Sequence, residues 1–165
     1  MKRNLLLLTV LFGIAVFQVQ ADGYLDSYDR QIVATCLVLE AGGEGTEGMQ
    51  AVLNVILNRA DGYLNRMVPE TVKYGAFSCM SSVWKCSEPD FSPLVQRAEA
   101  QSDAYEQAIN LISLMEDGFL QDNTLGATHY HAAYIHPYWA DSLHYLTTIG
   151  NHIFYVERGS QVASL

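Results

Sequence analysis

Apolar positions recur at helical spacing through the first two thirds of the chain and at strand spacing only near its end. Between residues 29 and 40 the apolar side chains are Ile32, Val33, Cys36, Leu37 and Leu39. That spacing predicts a helix of about three turns. Ala41, Gly42 and Gly43 are all small and predict its end. Thr46 is placed to cap a second helix, with Glu47 in the favourable first turn. Met49, Val52, Leu53, Ile56 and Leu57 give that helix a wide apolar stripe to about Ala60, and Asp61-Gly62 is its stop. Residues 64–86 hold no sustained period, and only Pro69 to Val72 predicts a short helical turn. Ser92-Pro93 opens a third helix, with serine as cap and proline at the first position. Ala98, Ala104, Tyr105, Ala108, Ile109, Leu111, Ile112 and Met115 carry it to about Glu116, and Gly118 closes it. Residues 126–131 (GATHYH) alternate as a short strand, and residues 134–140 (YIHPYWA) read as a loop. The Gly150-Asn151 turn then leads into a strand over residues 152–156. The pattern alone supports helices first and short strands late.

Composition changes this picture at the N-terminus. Lys2 and Arg3 precede an uncharged apolar run from residue 5 to residue 17, and the segment closes on Val19-Gln20-Ala21. This is the form of a secretory signal peptide with a small-residue cleavage site. The run is shorter than the roughly 20 residues of an ordinary membrane span. The expectation is cleavage after Ala21, giving a signal peptide over 1–21 and one catalytic domain over 22–165; an uncleaved leader would serve as a membrane tether. The protein is then exported, to the periplasm or the cell exterior. Losing Lys2 and Arg3 takes the formal charge from −9 to −11. So acidic a chain does not track phosphate backbones, and nucleic acid is excluded as a partner. A neutral or sugar-rich substrate fits better.

The cysteines are Cys36, Cys79 and Cys86, so at most one pair forms and one thiol is left over. Cys79 and Cys86 flank a short polar loop and are the expected pair. Cys36, on the apolar side of the first helix, is expected to be a buried free thiol. The spacing makes no zinc motif.

The chemistry concentrates between residues 38 and 59, VLEAGGEGTEGMQAVLNVILNR. Glu40 follows Leu37, Val38 and Leu39, so an apolar setting is expected for its carboxyl, one that keeps a proton available for general acid work. The glycine pair beyond it lets a substrate or a second backbone approach closely. A solvated acidic turn between two helices is the plainer reading of the same residues.

The stretch EAGGEG followed by GMQAVLNVILNR resembles the opening signature of the spore-cortex-lytic (SleB-like) cell wall hydrolase family. The likeness recurs in order downstream: Phe77-Ser78, then HYHAAYIHP, then Trp139, then IGNHIFY. Ala76 stands where many members carry glutamine. The resemblance covers about residues 32–155. It implies a lysozyme-like α+β fold, mainly helical with a small antiparallel sheet. It implies cleavage of peptidoglycan between N-acetylmuramic acid and N-acetylglucosamine by one glutamate acting as acid and then base, as lytic transglycosylases do, without a metal or other cofactor. Carried over by position, the catalytic residue is Glu40. Glu44 matches a second family glutamate that contacts substrate or orients the cleft. Ser78, Thr128, Tyr130, His131 and Trp139 fall on the matched cleft segments and are the remaining substrate-binding candidates. By period 2, Thr128 and Tyr130 share one face of the strand and His129 and His131 the other. Trp84 and Phe91 suit either sugar platforms or loop anchors. Asn58-Arg59 reads as the polar end of a buried helix, and His152 as a core hydrogen-bonding residue.

Two other functions fit parts of the pattern. His129, His131 and His136 with Glu40 or Asp141 would make the zinc site of a metal-dependent wall amidase, although no H-E-x-x-H signature accompanies them. A non-catalytic periplasmic glycan-binding module is the second.

Overall fold

The first helix has almost no solvent side. In the computed structural model, which describes residues 24–85 and 89–159, helix α1 spans Ser27–Ala41 and residues 32–38 are buried without a break. An α-helix that is apolar all round belongs at the centre of a bundle, and the other helices are arranged about this one. They are α2 (Gly45–Arg59), α3 (Leu64–Val72), α4 (Ser92–Glu99) and α5 (Ser102–Glu116), and each of the four packs against α1. Asp26 caps α1, its side chain accepting the Asp29 N–H at 2.8 Å. Glu116 at the end of α5 accepts the Leu25 N–H at 2.8 Å and pairs with Arg30. The start of α1 is thereby fixed to the end of the last helix.

The glycine pair does not break the chain as its sequence suggests. Gly42 keeps a right-handed helical conformation (φ −58°) and its N–H bonds the Val38 carbonyl. The helix tightens into a single 3-10 turn over Gly42–Glu44, and Gly45, at φ +71°, makes the reversal into α2. Only glycine adopts that conformation without strain. Thr46 therefore lies inside α2 rather than capping it, and its hydroxyl bonds the Gln107 side chain at 2.6 Å.

Two further expectations are corrected. The region after residue 64 holds a nine-residue helix, α3, with Pro69 inside it. The N–H that proline lacks would have met the carbonyl of Asn65, an exposed residue where water replaces it. A short 3-10 helix, Met80–Lys85, follows. The long third helix is two helices, broken at Ala100-Gln101, where Gln101 turns to φ −98° and ψ 61°. An unbroken helix over those residues would run roughly 37 Å at 1.5 Å per residue. Breaking it lets both halves lie against the much shorter α1.

Three strands follow: β1 (His129–Ala132), β2 (His144–Ile149) and β3 (His152–Val156), antiparallel in the order β1-β3-β2. The strand β2 is irregular, with a bulge between Tyr145 and Thr147, and its mixed pattern explains why the sequence does not announce it. Ala51 and Val55 on α2 pack with Ala127, Ile149 and Phe154 in a small second core that docks the sheet on the helices. The observed architecture is the lysozyme-like α+β fold expected from the sequence. No helix among the described residues is long and apolar enough to cross a membrane. The expected leader, and Cys86 as the expected partner of Cys79, lie outside the described residues.

Thr35 is fully buried on α1 and its hydroxyl finds no hydrogen-bond partner. A buried hydroxyl left unpaired is a cost that its isostere does not carry. Thr35→Val is therefore expected to raise stability by about 1 kcal/mol in urea unfolding.

Candidate active site

Glu40 is the second-last residue of α1, half-buried, at the point where the helix emerges beside the sheet. Its side chain is not in an apolar setting at the tip. The Ser78 hydroxyl and the Cys79 N–H donate to Oε1 at 2.9 and 2.7 Å, and the Tyr130 hydroxyl donates to Oε2 at 3.0 Å. These donors come from two separate segments, the turn after α3 and strand β1, so the carboxylate is the meeting point of three parts of the fold. A carboxylate offers about four lone-pair positions. Three are taken here, and the one left is on Oε2.

Tyr130 is the inner wall of the site. It pairs with Phe154 in the sheet register and lies against Phe77, His152 and Phe154, with ring centroids at 6.3, 4.9 and 5.6 Å. Burial, and then the negative charge of Glu40, push its hydroxyl well above the ordinary tyrosine range. It holds its proton and stays a donor to Glu40.

Arg59 sets the spacing of both walls. Its Nε–H donates to the Thr128 carbonyl at 2.7 Å, one Nη1–H reaches the Ala76 carbonyl at 3.4 Å, and the guanidinium lies 4.9 Å from the centre of the Phe77 ring. The residue before β1 and the turn before Ser78 are thus held by one side chain at the end of α2. Asn58 beside it donates to Asp122, Thr124 and the Ala127 carbonyl, fixing the loop that enters β1. The sequence reading of Asn58-Arg59 as a structural helix end is right in kind but misses what the pair holds. The available signal was a cationic group at the end of a buried helix, which must find acceptors.

Glu44 meets the β2–β3 turn and approaches His152, whose ring lies 4.9 Å from that of Tyr130. Its Oε2 accepts the Asn151 N–H at 3.1 Å and lies 3.3 Å from His152 Nδ1, a close approach without hydrogen-bond alignment. A Cβ built on Gly150 would collide with this carboxylate, and one on Gly48 would stand 2.6 Å from Glu44 Cβ. Glu44 therefore fills space that two glycines leave open and locks the β2–β3 turn to the start of α2. The structure brings it to the turn, not to the donor cluster.

The other candidates divide by sheet face. Ser78 and Tyr130 reach Glu40 directly. The Thr128 hydroxyl lies 2.9 Å from His129 Nδ1, while the Thr128 carbonyl is the acceptor for Arg59. His131 is buried on the opposite face, with Nδ1 at 2.9 Å from the Ala132 carbonyl and Nε2 at 3.0 Å from the Tyr155 hydroxyl. Trp139 covers that outer face, its ring 5.8 Å from His129, 5.6 Å from His131 and 6.0 Å from Tyr155. Trp84 anchors its loop by donating to the Val72 carbonyl at 2.7 Å, and Phe91 packs on the helical core. Among the described residues no group of three or more His, Cys, Asp or Glu side chains is placed to hold a metal ion.

An open cleft of about 460 Å³ is lined by Arg59, Lys73, Tyr74, His129 and Trp139, among others. Glu40 is not in its lining; Arg59 and Ala76, which line it, are bonded to each other. Burial, and then the Arg59 charge, hold His129 below the ordinary histidine range, so it enters this cleft as a neutral ring.

Residues 43–155 match the family model described as cell wall hydrolase. The chain belongs to the cell wall hydrolase family. The matched segment begins just after Glu40 and includes Glu44, Ser78, Tyr130 and Trp139. A solved structure, the catalytic domain of the germination-specific lytic transglycosylase SleB from Bacillus anthracis, is similar in fold, with a TM-score of 0.58 and 22% identity. The likeness covers 82% of this hydrolase and 99% of that domain. No curated protein matches this hydrolase.

Two variants test the geometry. Arg59→Leu leaves the Thr128 and Ala76 carbonyls without their donor and removes the contact with Phe77; it is expected to cost about 2–4 kcal/mol in urea unfolding. For Tyr130 burial holds the folded-state pKa well above the ordinary tyrosine value of about 10. The unfolded chain therefore loses this proton first, and stability falls as pH rises from about 10 toward the folded value. Tyr130→Phe removes that contribution, so its stability should decline less between pH 9 and pH 11 than that of the wild type. The difference in slope is up to about 1.4 kcal/mol per pH unit, read from urea melts.

Proposed function

We propose that this hydrolase cleaves the glycan strand of peptidoglycan between N-acetylmuramic acid and N-acetylglucosamine as a lytic transglycosylase, with Glu40 as its single acid and base. The observation that carries this reading is the convergence of Ser78, Cys79 and Tyr130 on one carboxylate. In the first step the protonated carboxyl of Glu40 gives its proton to the glycosidic oxygen, the C1–O bond breaks, and positive charge develops at C1. The new carboxylate then accepts all three donors, which stabilises it as it forms. In the second step the same carboxylate takes the proton from the muramic acid O6 hydroxyl as O6 bonds to C1. The product carries a 1,6-anhydro end, no water is consumed, and Glu40 regains its proton. Two-carboxylate hydrolysis would require a second acidic group across the bond. Glu44, the nearest in sequence, is held at the β2–β3 turn.

The open cleft lined by Arg59 suits the continuation of the strand. Tyr74 is exposed and Trp139 half-buried on its walls, and aromatic faces pack on the apolar faces of sugar rings. Substrate outside the membrane also accords with the signal-peptide pattern at the N-terminus, and export to the periplasm or cell exterior is part of the proposal. If the leader were retained it would act as the tether.

Glu40→Gln keeps the size and most hydrogen bonds of the side chain but cannot cycle a proton. It is expected to lower cleavage of purified peptidoglycan by at least about 100-fold with its far-ultraviolet circular dichroism unchanged. Mass spectrometry of the wild-type digest should show muropeptides lighter by one water at the muramic acid end. Reducing muramic acid ends would replace the transglycosylase with a hydrolase of the lysozyme type. Freed stem peptides would identify an amidase. A folded Glu40→Gln protein with substantial activity would remove Glu40 from the mechanism.

A further inference from the structure

Cys36 lies one helical turn before Glu40 on α1 and is fully buried. Cys79 is half-buried, and its N–H is one of the donors to Glu40. The two sulfur atoms are 4.0 Å apart, and both cysteines are free. Nothing in the proposed reaction uses either thiol. A disulfide has its sulfurs about 2.05 Å apart, so closure requires an approach of about 2 Å. Rotation of the two side chains about their Cα–Cβ bonds supplies that approach, and Cys79 lies in a turn outside any helix or strand ladder.

We infer that Cys36 and Cys79 form a disulfide that cross-links the central helix to the turn carrying Glu40's donors. The oxidant is a disulfide compound, either a dithiol oxidase of an export compartment or oxidised glutathione. Cys79, the accessible partner, attacks one sulfur of the oxidant as its thiolate; a mixed disulfide forms and one oxidant thiol leaves. Cys36 then attacks Cys79 Sγ, the Cys36–Cys79 bond forms, and the second oxidant thiol leaves. In sum the two cysteines give up two electrons and two protons, and the oxidant disulfide becomes two thiols. Burial, and then the neighbouring Cys79 and Glu40, hold the Cys36 thiol well above the ordinary cysteine range. Its proton is therefore lost only as the second step proceeds, and that step is the slow one. The bond closes a long loop containing α2 and α3, which is where a cross-link restricts the unfolded chain most.

This pairing competes with the one that sequence spacing suggests, Cys79 with Cys86. Trypsin separates them, because cleavage after Arg59, Arg66, Lys73 and Lys85 leaves each cysteine on its own peptide. The full chain is purified reduced, oxidised with oxidised glutathione, quenched in acid, alkylated in denaturant and digested without reduction. The expected product is the Cys36 peptide joined to the Cys79 peptide, with Cys86 not joined to either. The oxidised protein should melt about 5 °C or more above the reduced one, and a dithiol reductant should reverse the gain. Cys86→Ser should keep both the cross-link and the shift, and Cys36→Ala should lose both. A Cys79–Cys86 peptide, or Cys36 and Cys79 alkylated separately after oxidation, would overturn the inference. The mapping needs no enzymatic readout, so its result stands apart from that of the Glu40→Gln experiment.

Discussion

The carboxylate of Glu40 is the constraint on which this structure turns. It sits near the end of a helix that the other four helices surround, so its backbone cannot move without the whole bundle. Three of its acceptor positions are taken by donors from the turn after α3 and from strand β1, segments that also meet where Phe77 lies against Tyr130. Arg59 keeps those segments at their spacing by bonding a carbonyl on each side and lying against Phe77. The carboxylate is thus held from the helix and from two other segments at once.

The sheet contributes through both faces, in different ways. The inner face places Tyr130 against Phe154 and His152, and so against Glu40. The outer face is an aromatic layer in which His131 stacks on Tyr155, with ring centroids 5.3 Å apart, under Trp139. His131 thus stiffens the strand that carries Tyr130 but has its two ring nitrogens engaged by the Ala132 carbonyl and the Tyr155 hydroxyl. Glu44 serves the same end from the other side, tying the β2–β3 turn to the helices.

Much of this was legible in the sequence. The apolar stripes of α1 and α2 gave both helices nearly to the residue, and the turn at Gly150-Asn151 gave β3. Period 2 correctly put Tyr130 and His131 on opposite faces. What failed has physical causes. Composition around Glu40 suggested an apolar carboxyl, because Ser78 and Tyr130 are 38 and 90 residues away and leave no local trace. Pro69 masked α3, since a helix tolerates proline where the orphaned carbonyl is exposed. The break between α4 and α5 follows from the length of α1, which is a property of the neighbour rather than of the segment itself. Nor does the sequence show that Glu44 bonds a turn 107 residues on.

The distances along the chain between Glu40 and its donors have a consequence for assembly. The helices gather round α1 from near and far in the chain, and Tyr130 reaches Glu40 through the pairing of β1 with β3 and the docking of the sheet through Ala51, Val55 and Phe154. Contacts of such long separation form late in folding, because the entropy of closing the intervening chain must be met first. A collapsed intermediate with α1 to α5 in place would hold Glu40 with none of its β1 contact. Docking of the sheet and completion of Glu40's set of donors are therefore one event.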